Sequence, residues 1–183
     1  LVGSEMCIRD RSNERIRISN LVKEKETILN MFGGIGTFSI IIAKHKKVNK
    51  VYNVDLNPYC YELALENVKL NKLEGIVIPI LGDVREVIEE KLKGLADRVL
   101  MPYPAEAKNF FSYALEGLKD EGGIIHYYSE VRAKDKGEAL ERGEKEVYEL
   151  LSKVKRGEIL NKKILREVGP RVYHLVFDLS IVK

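Results

Sequence analysis

The chain has 183 residues, enough for an α/β domain with a substantial buried core. Hydrophobic residues make up 45% of it and charged residues 32%, and no apolar run approaches the length of a membrane-spanning helix. Lysine and arginine exceed aspartate and glutamate only by 31 to 28, so the net charge indicates no particular partner. Cys7 and Cys60 have no metal-site spacing and form no disulfide framework. We therefore expect a cytoplasmic protein that needs neither a membrane nor a metal.

The first eleven residues stand apart from the rest of the sequence. LVGSEMCIRDR resembles the translation of a sequencing adapter, and we predict that residues 1–11 are not native. The remaining residues, 12–183, are predicted to form one catalytic domain. A chain that starts at Ser12, just before a predicted helix, also suggests that the natural protein continues towards its N-terminus.

The first half of the chain alternates between helix and strand patterns. A short helix is predicted over residues 14–22, with Ser12 or Asn13 as a candidate cap. The apolar run 27–32 indicates a strand, and a glycine turn and an apolar helix follow it. A strand over 48–54, a helix over 59–71 and a strand over 76–81 come next.

The second half continues this alternation and then changes. Helices are predicted over 84–95 and 105–119, strands over 96–101 and 124–128, and a charged helical segment over 133–154. Two consecutive strands, 162–168 and 171–181, close the chain. Strands alternating with helices imply a parallel sheet with right-handed crossovers. We predict a Rossmann-like α/β fold, with a mostly parallel sheet and an antiparallel C-terminal hairpin.

Three strand ends carry residues suited to a nucleoside. The loop 30–36 (NMFGGIG) follows the first strand, and its glycines let the backbone approach a ligand closely. Asp55 ends the second strand, where a carboxylate can accept from both ribose hydroxyls. Asp83 ends the third strand and can accept from an adenine amino group, while the Val84 amide meets a ring nitrogen. Alternatively, each aspartate caps the helix after it.

The glycine loop distinguishes between two nucleoside cofactors. NAD sites prefer a GxGxxG loop that holds pyrophosphate at a helix N-terminus. The sequence GGIGTF lacks the third glycine of that spacing. S-adenosylmethionine (SAM) carries no phosphate, so the shorter loop favours SAM and a methyltransferase fold.

The chain as a whole resembles the archaeal and eukaryotic tRNA guanine-37 N1-methyltransferases. The resemblance runs in the same order from residue 12 to residue 183, through SNERIRI, NMFGGIGTFSI, VYNVDLNP, ALENVKLNKLEG, VIPILGDVREV, DRVLMPYP, EGGIIHYY and GPRVYHLVFDL. It implies methyl transfer from SAM to N1 of the guanine that follows the anticodon of a tRNA. Family members carry further N-terminal domains, and an arginine that stabilises guanine O6 belongs to that region.

The resemblance also implies roles for individual residues. It makes Glu14 the base that removes the N1 proton, Arg15 a SAM contact and Pro104 a rigid wall beside the target base. Asn30 stands where the family has an aspartate, and Pro102 where it has an asparagine, so that asparagine's role is not carried over. The remaining implied contacts are Phe32, Gly33, Gly34, Gly36, Leu56 and Pro102 for the cofactor, with Tyr103 and Arg171 for the RNA.

Several alternatives stay open at this level. Glu14 can instead be a first-turn glutamate favoured by the helix dipole, and Gly169-Pro170-Arg171 a purely structural turn. The basic segment 153–171 either faces phosphates or forms a solvated surface. A related wybutosine-pathway family transfers an aminocarboxypropyl group instead, and Pro104 favours methyl transfer over it. The chain can also be an inactive SAM- or tRNA-binding module. We expect a monomer.

Overall fold

A computed structural model describes the backbone of residues 2–183 and the side chains of residues 12–183. The predicted non-native segment 1–11 lies outside the residues with described side chains. Backbone contacts divide the chain into two compact units, Leu1–Asp83 and Val84–Lys183. The single catalytic domain expected over 12–183 stays a prediction, and each unit is described by itself. None of the helices in the described part has the length and apolar character required to traverse a bilayer.

The first unit is a three-stranded parallel sheet with helices between its strands. Its strands lie in the order β3-β2-β1, and every pair is parallel. All four residues of β1 are buried, as expected for a strand covered on both faces. The elements are α1 (Val2–Leu21), β1 (Thr27–Asn30), α2 (Thr37–His45), β2 (Lys50–Asp55), α3 (Pro58–Leu70) and β3 (Val77–Leu81).

The second unit begins with the same alternation and ends in antiparallel pairing. Its strands lie in the order β4-β5-β7-β6; β4 and β5 are parallel, while β7 is antiparallel to both of its neighbours. The elements are α4 (Val84–Val87), a π-helical turn (Ile88–Leu92), β4 (Arg98–Met101), α5 (Ala107–Gly117), β5 (Gly123–Arg132), α6 (Lys136–Leu151), β6 (Arg156–Gly169) and β7 (Val172–Val182).

This architecture confirms the predicted α/β fold class and differs from the prediction at several element ends. Helix α1 begins at Val2, so Ser12 and Asn13 lie inside it and cap nothing. The helix predicted over 84–95 is one α-helical turn followed by a π-helical turn. Strand β6 starts six residues before its predicted start at 162, because pairing with β7 extends over polar residues that no alternation marks. Register shifts along β6 further blur its alternation.

Candidate active site

The glycine loop after β1 turns sharply from the strand into α2. The Gly33 amide donates to the Val54 carbonyl over 2.8 Å, and the Gly36 amide donates to the Gly33 carbonyl over 3.0 Å. Gly34 and Gly36 have φ values of 53° and 88°, which other residues adopt only with strain. The loop is thereby tied to the end of the neighbouring strand β2.

Asn53 on β2 packs directly against this loop and explains why position 33 is glycine. A Cβ added to Gly33 would lie 2.2 Å from Asn53 Oδ1, far inside van der Waals contact. Asn53 Nδ2 also donates to the Gly34 carbonyl over 3.3 Å. Sequence reasoning missed this supporting role, although a buried asparagine inside the apolar strand β2 was a visible signal.

Asn30 presents a buried acceptor at the end of β1. Its Nδ2 donates to Ser39 Oγ over 3.1 Å, and the Ser39 hydroxyl donates to Asn53 Oδ1 over 2.7 Å. Asn30 is 0% exposed, and its Oδ1 atom has no hydrogen-bond partner among the residues whose side chains the structure describes. A buried acceptor without a donor costs free energy, so this atom suits a ligand that brings one.

Asp55 joins the glycine loop to the end of β2. Its Oδ2 accepts from the Gly34 amide over 2.8 Å, and its Oδ1 accepts from the Asn57 amide over 2.9 Å. Helix α3 is capped by Asn57, whose Oδ1 accepts from the Tyr59 amide over 2.9 Å. Asp55 therefore is not the cap of α3, and each of its half-buried oxygens keeps further acceptor capacity. The next residue, Leu56, is 69% exposed.

Asp83 lies beyond the end of the adjacent strand. Asp55 pairs with Leu81 in the β2–β3 register, and the Gly82 amide donates to the Asp55 carbonyl over 3.0 Å. The structure thus brings together the ends of β1, β2 and β3 that the sequence singled out. Val84 follows Asp83 in the chain as the buried first residue of α4.

Glu14 occupies the interior of α1 and is bound by an arginine one turn away. Arg17 Nε donates to Glu14 Oε2 over 2.9 Å, and Arg17 NH2 donates to Glu14 Oε1 over 2.7 Å. The Glu14 side chain is 4% exposed. In this structure α1 begins at Val2, so Glu14 does not lie in its first turn. Residues 2–11 of that helix belong to the segment predicted to be non-native, and the helix-dipole explanation stays an alternative. Sequence reasoning did not identify Arg17 as its partner.

Arg15 lies on the same helix beside the glycine loop. Its guanidinium carbon is 6.0 Å from the centre of the Phe38 ring, within the range of a cation–π contact. It borders a cavity of about 250 Å³ together with Ile35, Thr37, Ile40, Ile41, Asn67 and Asn71. This cavity adjoins the loop, but neither Asp55 nor Asp83 is among its lining residues.

In the second unit, the loop after β4 forms a compact turn before α5. The Tyr103 amide donates to the Met101 carbonyl over 2.8 Å, and the Ala107 amide donates to the Tyr103 carbonyl over 3.0 Å. Pro102 and Pro104 are half-buried, whereas the Tyr103 side chain is 47% exposed. Among the other aromatic residues, Phe38, Phe111, Tyr127 and Tyr128 are buried, and Phe32 and Phe110 are half-buried.

A network of polar side chains, most of them buried, crosses all four strands of this unit. Arg98 NH1 lies 2.7 Å from His126 Nε2, and His126 Nδ1 lies 2.6 Å from Asp178 Oδ1. Asn161 Nδ2 donates to Asp178 Oδ2 over 3.1 Å. An arginine can only donate, so Nε2 accepts and Nδ1 carries the proton given to Asp178. Sequence reasoning missed this network of side chains, although His126 and Asp178 each interrupt an apolar strand.

Arg171 lies in the turn between β6 and β7. The Ala133 amide donates to its carbonyl over 2.9 Å, which places the turn beside the end of β5. Its backbone has a φ of 61°, and its side chain is exposed.

Parallel strands alternating with helices, with a glycine loop and two carboxylates at neighbouring strand ends, define a Rossmann-like nucleoside-binding protein. Residues 4–155 match the family model described as the TRM5/TYW2 methyltransferase domain, and the chain belongs to this family.

Three comparisons illustrate the relationship. The chain is 41% identical over 170 residues to the tRNA (guanine(37)-N(1))-methyltransferase Trm5b of Methanocaldococcus jannaschii, covering 93% of this chain and 45% of the relative. It is 39% identical over 182 residues to a tRNA(Phe) (4-demethylwyosine(37)-C(7)) aminocarboxypropyltransferase of the same organism, covering 97% and 68%. The crystal structure of M. jannaschii TYW2 in complex with AdoMet superposes with a TM-score of 0.79 at 34% identity, covering 95% and 76%. The chain spans about half the length of the Trm5b relatives that it matches.

Proposed function

We propose that the first unit binds SAM, on the observation that the glycine loop, Asp55 and the buried acceptor of Asn30 lie at adjoining strand ends. When bound, SAM supplies an electrophilic methyl group. The AdoMet complex of a relative with the same fold supports this assignment.

The residues of this unit, together with the Val84 amide that follows it in the chain, fit the parts of SAM. The remaining lone pairs of the two Asp55 oxygens would accept from the two ribose hydroxyls. Asn30 Oδ1 would accept from the methionine ammonium group, and because Asn30 carries no charge, that contact would be weaker than one from an aspartate. Asp83 and the Val84 amide are assigned to the adenine edge. The backbone at Gly33, Gly34 and Gly36, with Phe32, Leu56 and Arg15 beside it, would border the rest of the molecule.

We infer that the methyl group is transferred to N1 of guanosine 37 in the anticodon loop of tRNA. The N1 atom bears a proton, so its attack on the methyl group requires a base. Glu14 is the proposed base: its carboxylate would take the N1 proton as the new N–C bond forms, and the bond from the methyl group to sulfur would break with its electron pair left on sulfur. The two hydrogen bonds from Arg17 hold the plane of this carboxylate in one orientation.

The second unit is assigned to the target nucleotide. The half-buried Pro102 and Pro104 give the loop after β4 little conformational freedom, and we assign Pro102 to the cofactor and Pro104 to the target base. Tyr103 exposes a ring that a nucleotide base can stack on, and Arg171 exposes a guanidinium for a phosphate. The predicted cytoplasmic location and monomeric state stay predictions.

Nucleoside analysis tests the reaction. The chain is incubated with SAM and a tRNA transcript that carries guanosine at position 37, and the digested nucleosides are identified by mass spectrometry. We expect 1-methylguanosine. Glu14→Gln should reduce the single-turnover rate at least about a hundredfold, the lower range for general-base catalysis, and leave SAM affinity unchanged. The matched control Glu24→Gln, at an exposed position, should retain the full rate. An undiminished rate for Glu14→Gln would refute the base assignment.

The second candidate is aminocarboxypropyl transfer to the same tRNA position. The similar identities to Trm5b and to the aminocarboxypropyltransferase, 41% and 39%, favour keeping it. Pro104 in the loop after β4 argues for methyl transfer. An aminocarboxypropyl adduct on the modified guanosine, without 1-methylguanosine, would select the second candidate. SAM binding without either product would identify an inactive binding module.

A further inference from the structure

The basic residues of segment 153–171 do not form one cluster. Arg156 is the first residue of β6, Lys153 and Lys155 lie in the turn just before it, and Arg171 lies beyond the other end of the strand. The 14 residues of β6 span roughly 43 Å at about 3.3 Å per residue. A single phosphate contact therefore cannot involve both ends, and the two ends can be tested separately.

At the Arg171 end, two further cations come from a different part of the chain. Arg132 is the last residue of β5 and pairs with Val172, the neighbour of Arg171, in the β5–β7 register. Lys134 follows the Ala133 amide that donates to the Arg171 carbonyl. All three side chains are exposed, and no ion pair of the described residues includes any of them. We call Arg132, Lys134 and Arg171 the end surface.

The carboxylates at this end are already engaged within the protein. Glu138 accepts from Arg142 and from the Lys134 amide, both over 2.7 Å, and these contacts lower its pKa, the backbone bond contributing most. The other three carboxylates also have partners. Asp135 accepts from the Glu138 amide over 2.9 Å, and Glu167 accepts from the Arg171 amide over 3.2 Å. Glu130 lies 2.9 Å from the His174 ring nitrogen Nε2. None of these bonds uses a side-chain donor of the end surface, which remains available to an external anion.

The conformation of Arg171 is a second, independent observation. A proline followed by a residue with positive φ, here 61°, is the pattern of a type II turn, which favours glycine at its second central position. An arginine there is strained relative to glycine. The turn would form more easily with glycine, so the Arg171 side chain is kept there at a cost in backbone strain, as is also the case for Lys25 and Lys72.

We propose that the end surface binds the phosphate backbone of the tRNA substrate. It lies beyond the carboxyl ends of the parallel strands β4 and β5, as does the loop that carries Tyr103 and Pro104. Phosphates bound there would hold the anticodon loop at that end of the unit. The assignment rests on the proposed tRNA substrate and adds Arg132 and Lys134 to the RNA contacts, while excluding the start of β6.

The test compares two triple variants of equal charge change in binding to a tRNA transcript. Replacing Arg132, Lys134 and Arg171 by glutamine should weaken binding at least tenfold at about 0.1 M salt. It should also reduce the slope of log affinity against log salt by about 2, at about 0.7 for each lost contact. Replacing Lys153, Lys155 and Arg156 by glutamine should change affinity less than twofold. Equal losses in both variants, no loss in the first, or no RNA binding by the unaltered chain at low salt would each overturn the proposal.

A single substitution separates binding from folding. Arg171→Gly removes the charge and the backbone strain together, so it should weaken tRNA binding as much as Arg171→Gln does. Its Tm should be equal to or above that of the unaltered chain, because about 1 kcal/mol corresponds to about 2–4 °C at this size. Tight tRNA binding by Arg171→Gly would contradict the proposal.

SAM affinity, measured on each variant, should be unchanged. If binding depends on the end surface but no nucleoside is modified, the proposed reaction fails and the surface stands. If 1-methylguanosine forms equally well with the first triple variant at limiting tRNA, the surface fails and the reaction stands.

Discussion

The backbone amide of Gly34 donates to Oδ2 of Asp55 over 2.8 Å, which joins the glycine loop after β1 to the carboxylate that ends β2. One side chain thus fixes the loop and faces the proposed ribose position. Replacing Asp55 with alanine should lower SAM affinity at least tenfold in calorimetry, because the loop loses its anchor and the ribose its acceptor. Asp55→Asn keeps one carbonyl acceptor and should lose less. Unaltered affinity in Asp55→Ala would place SAM elsewhere.

The contact of Gly33 with Asn53 predicts a steric coupling. Gly33→Ala should abolish measurable SAM binding, because its Cβ would lie 2.2 Å from Asn53 Oδ1 and either the loop or the asparagine must move. Gly33→Ala combined with Asn53→Ser should recover part of the affinity, since the shorter side chain frees the space. Gly75→Ala is the control: it adds backbone strain at a φ of 78°, which Gly33 does not have, but no atom lies within 4 Å of the added Cβ, so SAM binding should persist. Failure of the second substitution to improve binding would count against this coupling.

The bidentate pair of Glu14 and Arg17 predicts a double-mutant cycle with a large coupling energy. Arg17→Met should lower the free energy of unfolding by about 1.5–3 kcal/mol, because two charge-assisted hydrogen bonds to a buried carboxylate are lost. Glu14→Gln with Arg17→Met should cost less than the sum of the single changes. Additive effects in urea denaturation would show that the pair contributes nothing to folding.

Cys60 is predicted to react slowly with thiol-specific reagents near neutral pH. Burial raises its pKa, and the nearby Asp55 carboxylate raises it further. The thiolate is the reactive form, so the pH midpoint of labelling should lie above that of a free thiol. Asp55→Asn should lower this midpoint, because it removes the carboxylate charge, which is the smaller of the two causes of the raised pKa of Cys60. The measurement is made with Cys7→Ser, and a midpoint at or below that of a free cysteine would contradict the burial of Cys60.

The polar network from Arg98 to Asn161 predicts unequal costs for replacing its central carboxylate, Asp178, and its exposed terminal member, Asn161. Asp178→Ala should destabilise the protein by about 3–5 kcal/mol, because a buried carboxylate that accepts from His126 and Asn161 is removed from a network containing a buried arginine. Asn161→Ala, at an exposed position, should cost about 1 kcal/mol. Equal costs in chemical denaturation would mean that Asp178 is not the centre of the network.

How far the sequence could predict this protein depends on the kind of pattern involved. The parallel strands followed from short runs such as β1, whose four residues are all buried because both faces of the strand are covered. Strand β6 was placed too late, and α1 began earlier than expected, because neither boundary is marked by a change in periodicity. The strand ends that carry the candidate site could be predicted from the sequence because glycine and aspartate have specific roles there.

What the sequence by itself determined is the order of elements, the glycine loop and the residues at three strand ends, because these depend on local periodicity and on single residue types. Only the tertiary structure decided which side chains support them. Asn53 lies under Gly33 because β1 and β2 pair in register, and Asp178 reaches His126 although 52 positions separate them in the chain. Likewise, Arg132 and Lys134 lie beside Arg171, whereas Lys153 to Arg156 do not, because β6 carries those residues to its opposite end. Hydrogen bonds and charge clusters between distant segments depend on strand pairing, and no local pattern in the sequence records that pairing.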